Sequence, residues 1–488
     1  MIHMPLIALF LDGWQIFPCG KKSLFVVTTH YIRAKRAKFA PDGARTTRST
    51  ASPAGDPHHS GVLSAIAAPS RSRGTRTRQE PPHEAPHRRP RRRIRRGLRR
   101  REPGPQALPR RRGDHRRQRR TRLRRAMRLH QVAAGQETAR RKLSDVYAGT
   151  GVRLRLARVT GLDPERRTVA PTGENGHGEL SYDTLLYTLG SSAAHHGVPG
   201  AAEYAYDVAG LGPALRLRER LAGLRAGGSV LVVGEGLTGI ETATELAESH
   251  PGLSVGPAAR GELGAWLSPR ARRHLRAAFD RFGITVHEHT AVEAVEPSRV
   301  VTVGGTVLPA DVTVWSAGFA VDSIAADAGL EVAGTGQIVV DGTMRSLSHP
   351  DVYAAGDCAY AIGENGRPLP MSCASAGLTN LRATAAIVAR LTGGTVPATG
   401  LKYFGNHISL GRSDAVFQMV GGDVRSKSWY VGGRTAAQLK AGVLKGAEWG
   451  IAHPTFGLPT RRRRVEADRS RTGGPVAVQG ARHGQRSR

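Results

Sequence analysis

The chain has 488 residues with 72 Lys+Arg against 39 Asp+Glu, 60 Gly and 3 Cys, a length that suits roughly three domains of about 150 residues. Cys19, Cys358 and Cys373 share no CxxC or CxxxxC spacing, which excludes a disulfide scaffold, a four-cysteine zinc site and a dithiol redox pair and leaves a reduced cytoplasmic compartment as the default. The apolar run from Pro5 to Asp12 is far below the ~18 residues of a spanning helix, so the chain reads as soluble or at most surface-bound.

The formal charge of +33 is concentrated at the ends. Residues 1–127 carry 32 Lys+Arg against 7 acids, residues 461–488 carry 9 against 2, and residues 128–460 are balanced at 31 against 30. Any nucleic-acid partner would therefore have to bind the ends, and none is expected for the neutral body. Arg88 to Arg125 holds 20 arginines in 38 residues, without an apolar period of 2 or 3.6. Such a stretch cannot bury enough apolar surface to offset its ordering entropy. Three readings stand: a basic arm that neutralises phosphates, a solvated tail, or a segment read out of frame. In G+C-rich coding DNA the arginine codons CGN become GNN one base later, which encode Ala, Val, Gly, Asp and Glu. The last reading predicts that a first dinucleotide-binding βαβ unit is missing or scrambled, and that residues 1 to about 125 form no packed unit with the body.

Globular texture begins near Arg128. Strand-like alternation marks 152–159, 184–189, 230–233, 284–287, 312–315 and 338–340, and helical period marks 213–225, 239–248, 268–282 and 378–391. This order predicts an α/β protein built on parallel sheets. The expected parts are a basic low-complexity segment 1–127, a first flavin-type portion 128–212, a nucleotide-binding domain 213–317, a second flavin-type portion 318–398, a C-terminal domain 399–464 and a basic tail 465–488.

Ser229 to Glu248 (SVLVVGEGLTGIETATELAE) is the strongest local signal. An apolar strand runs into Gly234, Gly236 and Gly239 and then a helix. The three glycines predict a tight turn, backbone approach to a pyrophosphate and close helix-to-strand packing, with the pyrophosphate on the helix N-terminus. About 20 residues on, where a carboxylate usually meets the ribose, stands Arg260, with Glu262 two residues later. An arginine there suits a 2′-phosphate and favours NADPH. YDTLLYTLGS and DVTVWSAGF are strands ending in small-residue turns, and VYAAGD delivers Gly356 and Asp357 to a strand end. His287 and His289 fall on one side of a strand without a third ligand, so no metal is expected. Residues 436–449 form an amphipathic helix suited to a membrane surface or to the protein itself.

In this order the motifs resemble the FAD-dependent pyridine nucleotide-disulfide oxidoreductases, flavoproteins with tandem Rossmann-like FAD- and NAD(P)-binding domains, and most nearly the branch without a cysteine pair, the type-II NADH dehydrogenases. The resemblance spans about Arg128 to Arg464. It implies that Thr188, Leu189 and Gly190 form a hinge beside FAD, that Gly234, Glu235, Gly236 and Gly239 hold NADH or NADPH, and that Ala317 and Gly318 return the chain to the flavin domain. It further implies that Asp357 binds the ribityl chain, and that Ser375 and Ala376 open a helix whose positive end faces the flavin. The family's first GxGxxG is not found before Gly234. The implied activity is hydride transfer from NAD(P)H to FAD and electron delivery to a quinone or another small acceptor, with Glu241 near the nicotinamide and peripheral contact with the inner membrane face. The alternatives are a nucleic-acid-binding protein using the arginine arm and a non-catalytic remnant of the flavoprotein fold.

Overall fold

The computed structural model describes residues 26–30, 61–65, 122–123 and 126–453, apart from 138–140, 149–151, 156, 174–175, 397–399 and 422–424. In chain order, strands Val26–His30 (β1) and Gly61–Ala65 (β2) precede helix Leu129–Ala133 (α1), and strands Val152–Arg155 (β3) and Thr184–Tyr187 (β4) follow. Helix Leu211–Leu221 (α2) leads to strand Ser229–Val233 (β5), helix Leu237–Ser249 (α3), strand Ser254–Ala258 (β6), helix Pro269–Arg281 (α4) and strand Val312–Trp315 (β7). Strand Val352–Ala354 (β8), helix Cys373–Thr392 (α5), strands Gly405–Ser409 (β9), Ala415–Val420 (β10) and Ser426–Gly432 (β11), and helix Gly433–Ala452 (α6) complete the framework.

Two sheets organise the molecule. The first has the order β8-β4-β2-β1-β3, with β4 parallel to both β8 and β2. The second has the parallel order β6-β5-β7. Its central strand is apolar on both faces, as expected of a strand covered on two sides: Val230 and Val232 join a core with Ile240, Leu246, Leu275 and Phe279, while Leu231 and Val233 join one with Trp315 and Val300. Each such buried aliphatic side chain contributes about 1.5–3 kcal/mol. The first sheet has its own core around Leu185, Tyr187, Ile338, Val352 and Ile387. The antiparallel sheet β9-β10-β11 packs Ile408 and Val416 into the core shared by Val230, Val232 and α3, and α6 lies against β10 and β11. The α/β class and all four expected helices are present.

The structure departs from the sequence reading at several places. Of residues 1 to about 125, expected to form no packed unit with the body, the described strands β1 and β2 pair within the first sheet, β2 parallel to β4 and β1 antiparallel to β3. The reason is local composition. VVTTH and GVLSA are uncharged and contain β-branched residues, and the edge of β4 presents N–H and C=O groups that need partners. Most of the arginine-rich stretch and the whole 465–488 tail lie outside the described residues. The expected strand 284–287 is reduced to one bridge between His287 and Ala258. The α5 helix begins at Cys373, five residues before the apolar period, because Ser372 caps it by accepting a hydrogen bond from Ser375 N at 3.1 Å.

Gly239 is a tight point of the turn between β5 and α3. A Cβ added there would stand 2.1 Å from the Gly234 carbonyl oxygen, a backbone atom that can yield only if the loop moves. Gly239→Ala should therefore cost about 3 kcal/mol, the upper end of overpacking effects, read as a lower urea midpoint. An unchanged midpoint would show that the loop yields freely.

Candidate functional site: a cavity between a glycine turn and an acid-bearing turn

A cavity of about 910 Å³ lies between the strand ends of the second sheet and the segments that follow β4 and β8 of the first. One wall is the turn between β5 and α3. Gly234 takes φ +126°, and a Cβ there would meet the Ser316 carbonyl oxygen at 2.5 Å, so β5 and β7 approach through glycine. At Gly236 an added Cβ would meet nothing within 4 Å, and the bare backbone lines the cavity. Gly236 is also the N-cap of α3 and supplies no side-chain cap, so the first-turn N–H groups of this 13-residue helix are available to an anion. Gly234 thus makes a tight turn against the residue after β7, Gly239 a close helix contact, and Gly236 leaves bare backbone on the cavity wall with room for an anion such as a pyrophosphate.

The opposite wall comes from the first sheet and α5. Asp357, 3% exposed, sits in a short 3-10 turn just beyond β8 and accepts a hydrogen bond from Ser191 Oγ at 2.6 Å. Gly356 takes φ +80° and donates its N–H to Thr379 Oγ1 at 3.0 Å, which ties this turn to α5. The cavity-lining residues of α5 and its cap are Ser372, Cys373 and Ala374, whereas Ser375 and Ala376 are buried behind them. At the hinge it is Ser191 that lines the cavity; Leu189 is buried in the first core, and Gly190 turns with φ +70°. Ala317 and Gly318 do line it, with His196 Nε2 3.0 Å from the Ala317 carbonyl oxygen. Arg260 lies exposed at the rim, and Glu262 is turned away to pair with Arg272.

Glu241 is the best-connected acid of the site. Its carboxylate pairs with Lys440 of α6 and accepts the Ser409 N–H of β9 at 2.8 Å. Burial pushes the carboxyl upward, but the Lys440 and His130 charges and the hydrogen bonds from Lys440 and Ser409 outweigh it and hold Glu241 below the usual carboxylate range. Burial, opposed by Glu241 and reinforced by Lys440, drives His130 down to about 4. Burial and Lys440 likewise take His407 down to about 3. Both imidazoles are therefore neutral near pH 7. Lys440 also donates to the His407 carbonyl oxygen at 3.3 Å. Sequence reasoning covered Lys440 only as part of the amphipathic helix 436–449 and passed over His130 and His407. Nothing in the local pattern of either histidine could have placed it here.

Cys358 is buried, and that burial pushes its thiol up to about 12, so it is inert as a nucleophile. Cys373 is free on the cavity wall. Among the described residues, no group of three or more His, Cys, Asp or Glu is arranged to hold a metal, and no helix is long and apolar enough to cross a membrane.

A parallel sheet ending in a glycine turn and a mixed sheet with a buried acid beyond a strand end, both meeting one cavity, are the framework of a two-dinucleotide-binding oxidoreductase. The sequence profile of the pyridine nucleotide-disulphide oxidoreductases matches residues 114–378, more than half of the chain, and the protein belongs to that family. An NADH dehydrogenase-like protein of Mycobacterium tuberculosis is 32% identical over 268 residues, covering 51% of this chain and 65% of the relative. The demethylphylloquinone reductase of Synechocystis is 24% identical over 287 residues, covering 57% of this chain and 71% of the relative. The sulfide:quinone oxidoreductase of Aquifex aeolicus shares the fold with a TM-score of 0.58 at 17% identity, over 69% of this chain and 84% of that structure. The chain thus spans slightly less than two thirds of its mycobacterial relative.

Two predictions follow from the polar wall. Lys440→Met should lower stability by about 3 kcal/mol because it strands the Glu241 carboxylate, and adding Glu241→Gln should recover part of that loss; additive losses in urea denaturation would show that the pair is not coupled. His130, held neutral in the fold, binds a proton on unfolding below about pH 6.5, so its contribution is intact above 6.5 and is lost as pH falls toward about 4. His130→Asn should therefore flatten the fall of the urea midpoint between pH 6.5 and 4. An equally steep fall in the variant would rule this out.

Proposed function

We propose that the chain is a flavin-dependent NAD(P)H oxidoreductase whose acceptor is a quinone or another small molecule. The observation that supports it most is the single cavity taking in both the uncapped N-terminus of α3 and the Asp357 turn with the start of α5. In this reading residues 128–212 and 318–398 hold the flavin and 213–317 the nicotinamide nucleotide. Quinone as acceptor draws support from the demethylphylloquinone reductase among the relatives. FAD, when bound, supplies a centre that accepts a hydride from NAD(P)H and passes electrons to the acceptor.

The chain's own residues have defined tasks. Gly234, Gly236 and the first turn of α3 bind the nucleotide pyrophosphate through backbone N–H groups. Asp357, whose Oδ2 accepts from Ser191, presents its carboxylate to sugar-type hydroxyls, and the start of α5 directs positive helix potential at the flavin's pyrimidine side. With Cys358 buried and no CxxC or CxxxxC pair in the sequence to relay through, electrons leave directly to the acceptor. Reduction of a quinone to a quinol consumes two protons. Lys440 Nζ and Glu241 form a donor–acceptor pair on the cavity wall suited to delivering one. Val443 and Leu444 of α6 give the same wall an apolar surface, while Leu439 and Trp449 face solvent, a distribution that suits a hydrophobic acceptor reached from a membrane surface.

The purified full chain should be yellow and should oxidise NADH or NADPH with a soluble quinone after incubation with FAD. Asp357→Ala should weaken flavin retention about tenfold, the effect of losing a charge-assisted hydrogen bond, read as flavin absorbance per chain after gel filtration. Unchanged flavin content would make Asp357 a turn residue. A colourless, inactive chain that binds DNA with steep salt dependence would favour the basic-arm reading.

A further inference from the structure

The acidic residue absent from the end of β6 is replaced in space by one from the glycine turn. Glu235 follows Gly234, and its Oε2 accepts the Gly261 N–H at 2.9 Å across the gap between the β5 and β6 ends. A Cβ added to Gly261 would lie 3.8 Å from Oε2 and 3.9 Å from Oε1, so the whole carboxylate lies against the segment that follows β6. Glu235 is half-buried and lines the cavity beside Arg260. The neighbouring acids are engaged elsewhere: Glu262 with Arg272, and Glu288 with Arg276 and the Leu263 N–H. Among the described residues no cation pairs with Glu235, and Arg260 has neither an ion pair nor a hydrogen bond.

We infer that Glu235 is the residue that selects the adenosine end of the nucleotide, taking a free 2′-hydroxyl and rejecting a 2′-phosphate, so that NADH is preferred over NADPH despite Arg260. This rests on the nucleotide-binding reading above. With the pyrophosphate on the α3 N-terminus, the adenosine ribose falls at the end of β6, where Glu235 has an oxygen left to accept from the ribose diol. A 2′-phosphate offers that oxygen only acceptors and up to two negative charges. Arg260 attracts such a group, but it is exposed, and its attraction is weakened by water and salt. Glu235 is half-buried and held by a backbone N–H, so its repulsion is less screened and its position does not relax.

The test is calorimetric binding of ADP-ribose and 2′-phospho-ADP-ribose to the full chain, which needs neither turnover nor bound flavin. Wild type should bind ADP-ribose more tightly. Glu235→Gln, which keeps an acceptor for the Gly261 N–H, should bring the two affinities together by about tenfold, Glu235→Asp should retain the preference, and Arg260→Ala should leave its order unchanged. On wild type itself, raising the salt concentration should narrow the preference if repulsion by Glu235 sets it and widen it if attraction by Arg260 dominates, a readout independent of how well any variant folds. A tighter 2′-phosphate complex in wild type, a ratio unmoved by Glu235→Gln in a folded variant, or a preference that widens with salt would overturn the assignment to Glu235 while leaving nucleotide binding in place. Failure of wild type to bind either ligand would instead remove the nucleotide-binding reading, and the inference with it.

Discussion

Gly234 and Gly239 have no Cβ, and the space that one would need is already filled by backbone: the Ser316 carbonyl oxygen in the first case and the Gly234 carbonyl oxygen in the second. This contact among β5, α3 and the residue after β7 sets how closely the helix sits on its sheet. It therefore sets where the α3 N-terminus points. Because α3 carries Glu241 on its second turn and packs beside β9, the same contact places that carboxylate against Ser409 and Lys440. A shift of the turn would move the helix N-terminus and the buried ion pair together.

The polar wall is costly to build and specific once built. Two partly buried charges gain from pairing only if their remaining hydrogen-bonding capacity is met. Here Ser409 N–H and the His407 carbonyl complete the set. The neighbouring imidazoles stay neutral, since a further positive charge beside Lys440 would be both desolvated and repelled. The C-terminal sheet and α6 thus do more than cover the nucleotide-binding domain, because they supply the countercharge to an acid that belongs to it.

Polar groups at the mouth of the cavity follow a different logic. Glu262 and Glu288 are spent on arginines of α4, which anchors the segment after β6 to that helix. Glu235 is held by a backbone N–H instead. A carboxylate fixed by the main chain keeps its charge available to a ligand, whereas one paired with a guanidinium does not. Two acids of this region are thus held by guanidinium groups of the helix and the third by the main chain of the loop.

Strand β5, the turn and α3 could be read from the sequence because their causes are local: four consecutive apolar residues, three glycines at fixed offsets and a helical period, all within 20 residues. The extent of α4 was legible for the same reason, through the helical period at 268–282, whereas α5 starts five residues ahead of its period at the Ser372 cap. Entry of β1 and β2 into the first sheet was not legible, because five-residue strands surrounded by basic sequence gain their place only from an edge that residues 184–187 provide. The union of Glu241 with Lys440, 199 positions apart, and the reach of Glu235 to Gly261 were likewise decided by tertiary structure. Local sequence governs backbone conformation through sterics and hydrogen bonds between near neighbours, but which distant charge meets which is settled only when separate elements pack and water is removed from between them.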